Sequence, residues 1–225
     1  MPTLYHYPFC PPAQRVRLAL GAKGIEATLV ALPYTDLETP IELAGRKQLP
    51  IYVTDAGEVL QDAEAILHHL EAVAPEPPLF DGAIDPADYQ SLKEWMGQFE
   101  ALMDRLRAPV QLGYAGLGDD EEAAAYFRRQ VESRHGAQLE ELVNARYADY
   151  KDFEARAELR RFARMLVKSR FFSGRLSAAD LYLTSEWGPL RWVDGVSPPL
   201  DLLYYFERVE DVCGVKLASG EDALF

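Results

Sequence analysis

Cysteine is scarce in this chain, which has 225 residues but only two thiols, Cys10 and Cys213. Two cysteines are too few for the disulfide framework that supports many small secreted folds. Thiols of intracellular proteins usually stay reduced. We therefore expect a cytoplasmic protein without a structural disulfide.

Positive charge and long apolar runs are also in short supply. The 36 acidic residues outnumber the 23 basic ones, and the net charge of −13 repels the phosphates of nucleic acids and anionic lipid surfaces. No apolar run approaches the roughly 20 residues that a membrane-spanning helix needs, and the N-terminus lacks the basic-then-apolar pattern of a signal peptide. The sequence predicts neither a nucleic-acid partner nor a membrane partner.

Histidine is rare too, with four residues in the chain. Two of them, His68 and His69, are adjacent in a predicted helix, so their side chains point about 100° apart and cannot bind one metal ion together. We expect no metal site.

The first 75 residues alternate strand-like and helix-like segments, which is typical of an α/β domain. Residues 2–7 and 26–32 predict strands and residues 11–24 a helix between them, so a parallel β-α-β unit begins the chain. Residues 51–54 and 58–60 flank a short glycine-containing connection and predict an antiparallel hairpin. Apolar residues at helical spacing over residues 63–74 predict a helix that packs on the sheet.

Four prolines fall in the segment from Pro75 to Pro86, where they remove backbone donors and disfavour helix. We interpret residues 76–86 as a linker between a domain of residues 1–75 and a second domain of residues 87–225. Beyond the linker the pattern predicts only helices, at 87–108, 119–147, 152–168, 178–193 and 199–211. The length of the chain agrees with two units, since single domains usually have about 100–150 residues.

Cys10 follows the first predicted strand and opens the first predicted helix. Unpaired backbone N–H groups at a helix start favour negative charge and can lower a cysteine pKa from about 8.5 to about 3.5–7.5. The sequence therefore predicts a reactive thiolate at Cys10, the alternative being a buried cysteine that packs as a small hydrophobe. Cys213 lies near the end of a helix without such a signature, and we interpret it as a packing residue.

Three residues near Cys10 allow two interpretations each. Arg15 and Arg17 lie in the following helix, where they either add positive potential near the thiol or solvate an exposed helix face. Tyr7 ends the first strand, where its hydroxyl either faces a bound thiol or its ring packs in the core. Packing and solvation are the simpler interpretations.

Four short motifs follow one another along the chain as they do in the glutathione transferase superfamily: Cys10-Pro11-Pro12-Ala13, Gln48-Leu49-Pro50-Ile51, Asp62-Ala63, and Gly174 with Ser177 and Asp180. They resemble, in turn, its thiol motif, its cis-proline segment, the residue pair before its third helix, and its helix-capping box. More narrowly, the chain is similar to the glutaredoxin 2 family over about residues 3–217.

The resemblance implies the class α/β plus all-α, with a thioredoxin-like domain of order β-α-β-α-β-β-α packed on an all-helical domain. It implies Cys10 as the catalytic residue and glutathione as the co-substrate. Leu49 would offer its backbone to the cysteinyl part of glutathione, and Asp62 would bind the α-amino group. The implied glutathione-binding residues are Cys10, Pro12, Gln48, Leu49, Pro50, Asp62 and Ala63.

Two positions depart from the family pattern. Ala13 stands where glutaredoxin 2 has a second cysteine, so no disulfide can form within the motif and only monothiol chemistry remains. Ala63 stands where the superfamily usually has a serine that helps hold the γ-glutamyl carboxylate. The lost hydrogen bond corresponds to roughly 1.5–3 kcal/mol of glutathione binding.

Three functions remain open at this point. The first is a glutathione-dependent monothiol oxidoreductase that reduces glutathione mixed disulfides through Cys10. The second is a glutathione transferase that conjugates glutathione to electrophiles, and the third is a non-catalytic binding protein of the same fold. The glutaredoxin 2 resemblance favours a monomer, although a homodimer is common among glutathione transferases.

Overall fold

The structure of the protein, a computed structural model, describes residues 1–217. Its strands are β1 (Thr3–His6), β2 (Thr28–Ala31), β3 (Ile51–Val53) and β4 (Val59–Leu60). Its helices are α1 (Pro11–Lys23), α2 (Glu38–Ala44), α3 (Ala63–Val73), α4 (Pro86–Gly97), α5 (Glu100–Gln111), α6 (Glu121–His135), α7 (Leu139–Arg156), α8 (Leu159–Ser169), α9 (Ala178–Trp187) and α10 (Leu200–Cys213), with a 3₁₀ helix (Gly188–Trp192) after α9.

A four-stranded sheet with the order β2-β1-β3-β4 forms the thioredoxin-like N-terminal domain. β1 pairs with β2 in parallel, as the β-α-β pattern predicts, and β3 runs antiparallel to both β1 and β4. Side chains of β1 alternate in burial, with Leu4 and His6 buried, because successive strand residues face opposite sides of the sheet. The predicted element order β-α-β-α-β-β-α is confirmed.

The rest of the described chain is helical, and after Leu60 it contains no strand element up to residue 217. Several predicted helix boundaries are wrong. The predicted helix 119–147 is two helices, α6 and α7, because Gly136 adopts a left-handed conformation (φ 63°) that ends α6. The predicted domain 87–225 ends in residues 218–225, which lie outside the described residues.

A second break separates α4 from α5, inside the predicted helix 87–108. The N–H groups of Gln98 and Phe99 donate to carbonyls three residues back, which tightens the chain and ends the α-helical pattern. The turn places the Phe99 ring 5.5 Å from the Phe153 ring and 6.1 Å from the Trp187 ring, measured between centroids. The break between α4 and α5 allows this ring to be buried in the core, and the local sequence pattern does not predict it.

One large hydrophobic core is shared by both domains, since it includes Leu4 of β1 and Ile66 of α3 together with Trp187 of α9. α1 contacts α3 on one side and α9 and α10 on the other. Gly21 of α1 permits the closest approach, because a Cβ there would lie 2.1 Å from the carbonyl oxygen of Cys213. α1 is therefore the element that joins the domains, and its N-terminal end carries Cys10.

Candidate active site at the N-terminus of α1

The topology of the sheet brings three separate segments to one of its ends. β1 carries the chain to that end before Cys10, β3 starts there after Leu49 and Pro50, and β4 finishes there before Asp62. This follows from the pairing, because β3 runs antiparallel to both of its neighbours. Segments that are distant in sequence thus share one end of the sheet.

Cys10 is the N-cap residue of α1, and Pro11 and Pro12 occupy the first two positions of the helix. Proline suits these positions because it lacks an N–H group, which would find no partner within the helix. The half-buried cysteine donates its own N–H to the carbonyl oxygen of Tyr7 at 3.1 Å, and its carbonyl accepts from the N–H of Gln14 at 2.9 Å. The backbone therefore fixes the thiol at the start of the helix.

The ionisation of this thiol differs from the sequence-based prediction. Burial raises the pKa of Cys10 to about 11, and Glu186 acts in the same direction, whereas the backbone N–H of Ala13 and the arginines Arg107 and Arg15 lower it. The predicted low pKa is wrong because the loss of water around the sulfur outweighs the favourable field of the helix start. At neutral pH the thiol of the free protein is protonated.

Two glutamines from different domains hold the loop that carries Cys10. Gln14 of α1 is fully buried and donates through Nε2 to the carbonyl oxygen of Pro8 at 3.0 Å and to the Tyr114 hydroxyl at 3.1 Å. Gln111, at the end of α5, donates to the carbonyl oxygen of Phe9 at 3.2 Å. The conformation of the loop before the cysteine thus depends on the helical domain.

Aromatic rings cover the same loop. Tyr7 and Phe9 stack with their centroids 5.4 Å apart, and Tyr34 lies 5.2 Å from Tyr7 and 5.6 Å from Phe9. Phe127 of α6 completes the cover at 6.1 Å from Phe9. Tyr7 packs in the core, as expected, and its buried hydroxyl has no hydrogen-bond partner among the described residues.

The Leu49–Pro50 peptide bond is cis, and it directly precedes β3. Leu49 is buried in the hydrophobic cluster that includes Tyr7 and Phe9, with Cys10 packed against it. Gln48 is exposed, and its carbonyl oxygen accepts a hydrogen bond from Nε2 of Gln61 at 2.9 Å. The structure therefore places Cys10 and Leu49 in one cluster.

Asp62 is the exposed N-cap of α3, where its Oδ1 accepts from the N–H of Ala65 at 3.0 Å. Ala63 follows as the first residue of the helix and is buried in the larger core with Ile66 and Leu67. Gln61 connects this segment to Gln48, so the turn before β3 and the start of α3 are joined directly. Ala63 itself does not belong to the cluster that contains Cys10.

Charged residues near the thiol are buried, which the sequence does not predict. Arg15 and Arg17 are both buried, so the interpretation that they solvate an exposed helix face is wrong. Arg17 lines a cleft at the opposite end of α1, so of the two only Arg15 acts on the thiol. Arg15 donates to Oε1 of Glu186 at 3.0 Å, and Arg107 pairs with Oε2 of the same carboxylate. One carboxylate thus joins a cation of each domain.

Cys213 lies far from this site, in the last turn of α10 beside Gly21. Gly21 is eleven positions after Cys10, which corresponds to about 16 Å along a helix. Burial raises the pKa of Cys213 to about 12. The residue packs in the core, as expected, and cannot form a disulfide with Cys10 without moving an entire helix.

Within residues 1–217 no three or more His, Cys, Asp or Glu side chains lie close enough together to hold a metal ion. The same part of the chain has no helix that is long and apolar enough to cross a membrane.

A polar cleft of about 590 Å³ borders Arg107 and is also lined by Asp104, Arg134 and His135. A second cleft of about 590 Å³ is lined by Gly21, so it lies at the end of α1 opposite Cys10.

Sequence reasoning missed five residues of the site: Gln14, Gln61, Gln111, Arg107 and Glu186. All have long polar side chains, which usually face water in helices and turns. Glu186 carries the one usable signal, because the sequence of α9 contains no other charged residue except the capping Asp180. The other four are recognisable only from their partners in the fold.

The sheet, the cis-proline segment and the thiol at the start of α1 agree with a comparison of the chain with protein families. The model for the glutathione S-transferase N-terminal domain matches residues 4–78. A probable glutathione transferase of Aplysia californica is 36% identical over 72 residues, which are 32% of this chain and 77% of that protein. The chain belongs to the glutathione transferase superfamily of enzymes.

Two relatives match almost the entire chain. Glutaredoxin 2 of Escherichia coli is 26% identical over 221 residues, covering 96% of this chain and 98% of that protein. The crystal structure of glutaredoxin 2 from Salmonella typhimurium in complex with glutathione superimposes with a TM-score of 0.83 over 98% of both chains, at 24% identity. The two-domain fold is therefore that of glutaredoxin 2 as well as that of the transferases.

Proposed function

We propose that this protein is a glutathione-dependent monothiol oxidoreductase that reduces glutathione mixed disulfides through Cys10. The observation that carries the proposal is a single thiol at the N-terminus of α1, packed with the cis-proline segment, in a chain similar to glutaredoxin 2 over nearly its full length. The relative crystallised with glutathione supports glutathione as the co-substrate.

The reaction consists of two exchange steps on one protein sulfur. The Cys10 thiolate attacks the glutathione sulfur of a mixed disulfide, the S–S bond breaks, and the released thiolate takes up a proton. Cys10 then carries the glutathionyl group in a new disulfide bond. A second glutathione thiolate attacks the glutathione sulfur of this disulfide, the bond to Cys10 breaks, and the products are oxidised glutathione and the free Cys10 thiolate.

The monothiol route is supported by the surroundings of Cys10. Ala13, the residue of the motif that could otherwise supply a second thiol, is fully buried and cannot resolve a disulfide. Cys213 is separated from Cys10 by most of α1, so it does not replace the missing cysteine. Release of the glutathionyl group therefore requires a second glutathione molecule.

Glutathione would lie across the shared end of the sheet. We assign its cysteinyl part to the backbone of Leu49, which lies between the exposed Gln48 and the cis-proline Pro50. The γ-glutamyl end would reach the start of α3, where Asp62 is exposed and the N–H of Ala63 belongs to the first helical turn. Pro12 lies in the first turn of α1, two residues after Cys10.

One observation favours conjugation of glutathione to electrophiles as a second candidate function. The Tyr7 hydroxyl is buried without a hydrogen-bond partner among the described residues and interacts electrostatically with Cys10. A hydroxyl so placed can donate a hydrogen bond to a glutathione thiolate, which is the nucleophile in conjugation. Burial raises the pKa of Tyr7, so the hydroxyl keeps its proton for this purpose.

Mutant kinetics distinguish the two candidates. In a coupled assay with a glutathione mixed disulfide as substrate, we expect Cys10→Ser to abolish turnover and Cys213→Ser to retain most of it. Conjugation of glutathione to a chlorodinitrobenzene substrate is measured with the same proteins. If Cys10→Ser loses thiol transfer but conjugates glutathione at the wild-type rate, the protein has both activities and only thiol transfer depends on Cys10.

Full thiol transfer by Cys10→Ser would overturn the oxidoreductase proposal. Absence of both activities in the wild type, with no calorimetric glutathione binding, would instead support the non-catalytic binding protein.

A further inference from the structure

A buried cluster of one acid and two arginines lies between the domains. The Glu186 carboxylate, on α9, accepts from Arg15 of α1 at 3.0 Å and from Arg107 of α5, and all three side chains are at least four-fifths buried. Arg15 is also stacked on the Tyr182 ring, 4.1 Å from its centroid. Three helices therefore meet at one carboxylate.

The cluster lies close to the site of the proposed reaction. Arg15 is five residues after Cys10 on α1, about 7.5 Å along the helix axis. Arg107 is one helical turn before Gln111, whose side chain holds the carbonyl of Phe9 next to the cysteine. Both arginines and the carboxylate interact electrostatically with the Cys10 sulfur.

Two buried guanidiniums share the Glu186 carboxylate, and buried charge is costly unless a counter-charge lies close to it. Glu100 and Asp104 line a cleft with Arg107, but Asp104 pairs there with Arg134. Nε of Arg107 is buried and has no hydrogen-bond partner among the described residues, so Glu186 does not use the full donor capacity of that guanidinium. An ionised Cys10 would add a second negative charge within electrostatic range of the two guanidiniums.

We propose that Glu186 is a positioning residue that acts on Cys10 through Arg15 and Arg107, because its carboxylate pairs with both guanidiniums and compensates part of their charge. The arginines then stabilise the thiolate during exchange, and Glu186 limits that stabilisation in the resting protein. The inference rests on the proposed function for its meaning in catalysis, but the electrostatic effect is measurable without glutathione.

The variant Glu186→Gln removes the negative charge and leaves both arginines anchored. Arg107 also donates to the backbone carbonyl oxygen of Glu186 at 3.3 Å, and Arg15 retains Tyr182 and the Ser185 hydroxyl. Tyr7 and Tyr34 also interact with the thiol, and Tyr182 and Glu100 lie at the cluster, but none of these four residues is altered in this variant. Only one charge therefore differs from the wild type.

Alkylation by iodoacetamide, followed by mass spectrometry of the Cys10 peptide, measures the effect directly. In the wild type we expect the rate to rise with pH up to about 11, because the raised pKa keeps the thiol protonated below that value. One unit of pKa changes the thiolate fraction about tenfold and the observed rate about threefold, since a less basic thiolate is a weaker nucleophile.

At pH 7 we expect Glu186→Gln to react about threefold faster than the wild type and Arg107→Gln about threefold more slowly. The double variant is expected to return close to the wild-type rate. Opposite signs identify charge as the cause, because loosened packing would expose the thiol and accelerate both variants. Equal signs, or no change in either single variant, would overturn the proposal.

Glu210→Gln is the matched control. Glu210 is a buried carboxylate that pairs with Arg191 at 2.5 Å, but it interacts with Cys213 rather than with Cys10. Its Cys10 alkylation rate should equal that of the wild type, and an equal acceleration there would also overturn the proposal. If the two single variants change the alkylation rate in opposite directions but the wild type does not catalyse thiol transfer, the proposed function is wrong and the electrostatic role of Glu186 stands.

Discussion

Ala63 begins α3 directly after the N-cap residue Asp62, and the first turn of this helix faces the end of the sheet that carries Cys10. A serine side chain would add a hydroxyl at a position whose backbone N–H already points out of the helix start. The present side chain is a methyl group packed against Ile66 and Leu67. A serine at position 63 would therefore favour glutathione binding, whereas the alanine favours packing against Ile66 and Leu67.

We expect Ala63→Ser to tighten glutathione binding about 3- to 30-fold, or about 0.6–2 kcal/mol, because a hydroxyl at the helix start can donate to the γ-glutamyl carboxylate. Isothermal titration of both proteins with glutathione measures the change. Ala65→Ser, which places the same hydroxyl on the exposed side of the same turn, should leave affinity unchanged. Equal effects of the two substitutions would show that the hydroxyl introduced by Ala63→Ser is not near the ligand.

The start of α9 shows how one element depends on a buried acid. Ser177 and Asp180 form the predicted capping box, in which Oδ2 of Asp180 accepts from the N–H of Ser177 at 2.9 Å and from its hydroxyl at 2.7 Å. Oδ1 accepts from the N–H of Phe172 at 2.7 Å and from the Tyr205 hydroxyl at 2.7 Å. Asp180 therefore joins α9 to the preceding turn and to α10.

Asp180→Ala should destabilise the protein by at least about 3 kcal/mol, because several buried donors lose their acceptor and each unsatisfied group costs about 1–3 kcal/mol. Ser177→Ala removes only the cap hydroxyl and should cost about 1–2 kcal/mol. Urea unfolding measures both values. Asp85→Ala removes an exposed N-cap from α4 and should cost about 1 kcal/mol. A cost for Asp180→Ala no larger than that of Asp85→Ala would contradict the role assigned to its burial.

At the scale of the whole molecule, a second buried ion pair fastens the segment between α3 and α4. Lys23 of α1 pairs with Glu71 of α3 and also donates to the carbonyl oxygen of Pro77 at 2.7 Å. The Glu71 carboxylate accepts from the N–H groups of Leu79 at 3.1 Å and Phe80 at 3.2 Å. The path between the domains is thereby fixed by one carboxylate.

Acid should weaken the contacts of Glu71 with Lys23 and with the segment between α3 and α4. Although burial opposes ionisation, hydrogen bonds from Lys23 and from the two backbone N–H groups hold the pKa of Glu71 below its ordinary value of 4.5. A lowered pKa stabilises the fold above about pH 4.5, and this contribution is lost as the pH falls through the lower folded value. Urea unfolding between pH 7 and pH 3 should therefore show a shallower acid dependence in Glu71→Gln than in the wild type.

Glu71→Gln should also be less stable than the wild type at pH 7, because it removes the buried counter-charge of Lys23. An exposed glutamate in the segment that follows α3 provides the control, since Glu76→Gln should follow the wild-type pH dependence. Parallel acid curves for all three proteins would show that Glu71 does not contribute to the pH dependence of stability.

The sequence by itself determined the four strands of the N-terminal domain, its helices α1 and α3, and the position of Cys10 at a helix start, because periodicity, prolines and caps act over a few residues. Helix α2 followed only from the family resemblance. It also contained the capping box of α9 and the glycine that ends α6, Gly136. Only the tertiary structure decided the direction of the Cys10 pKa and the break at Phe99. Desolvation and ion pairing depend on groups such as Arg107 and Glu186 that lie far away along the chain, and no local pattern specifies which of them will meet.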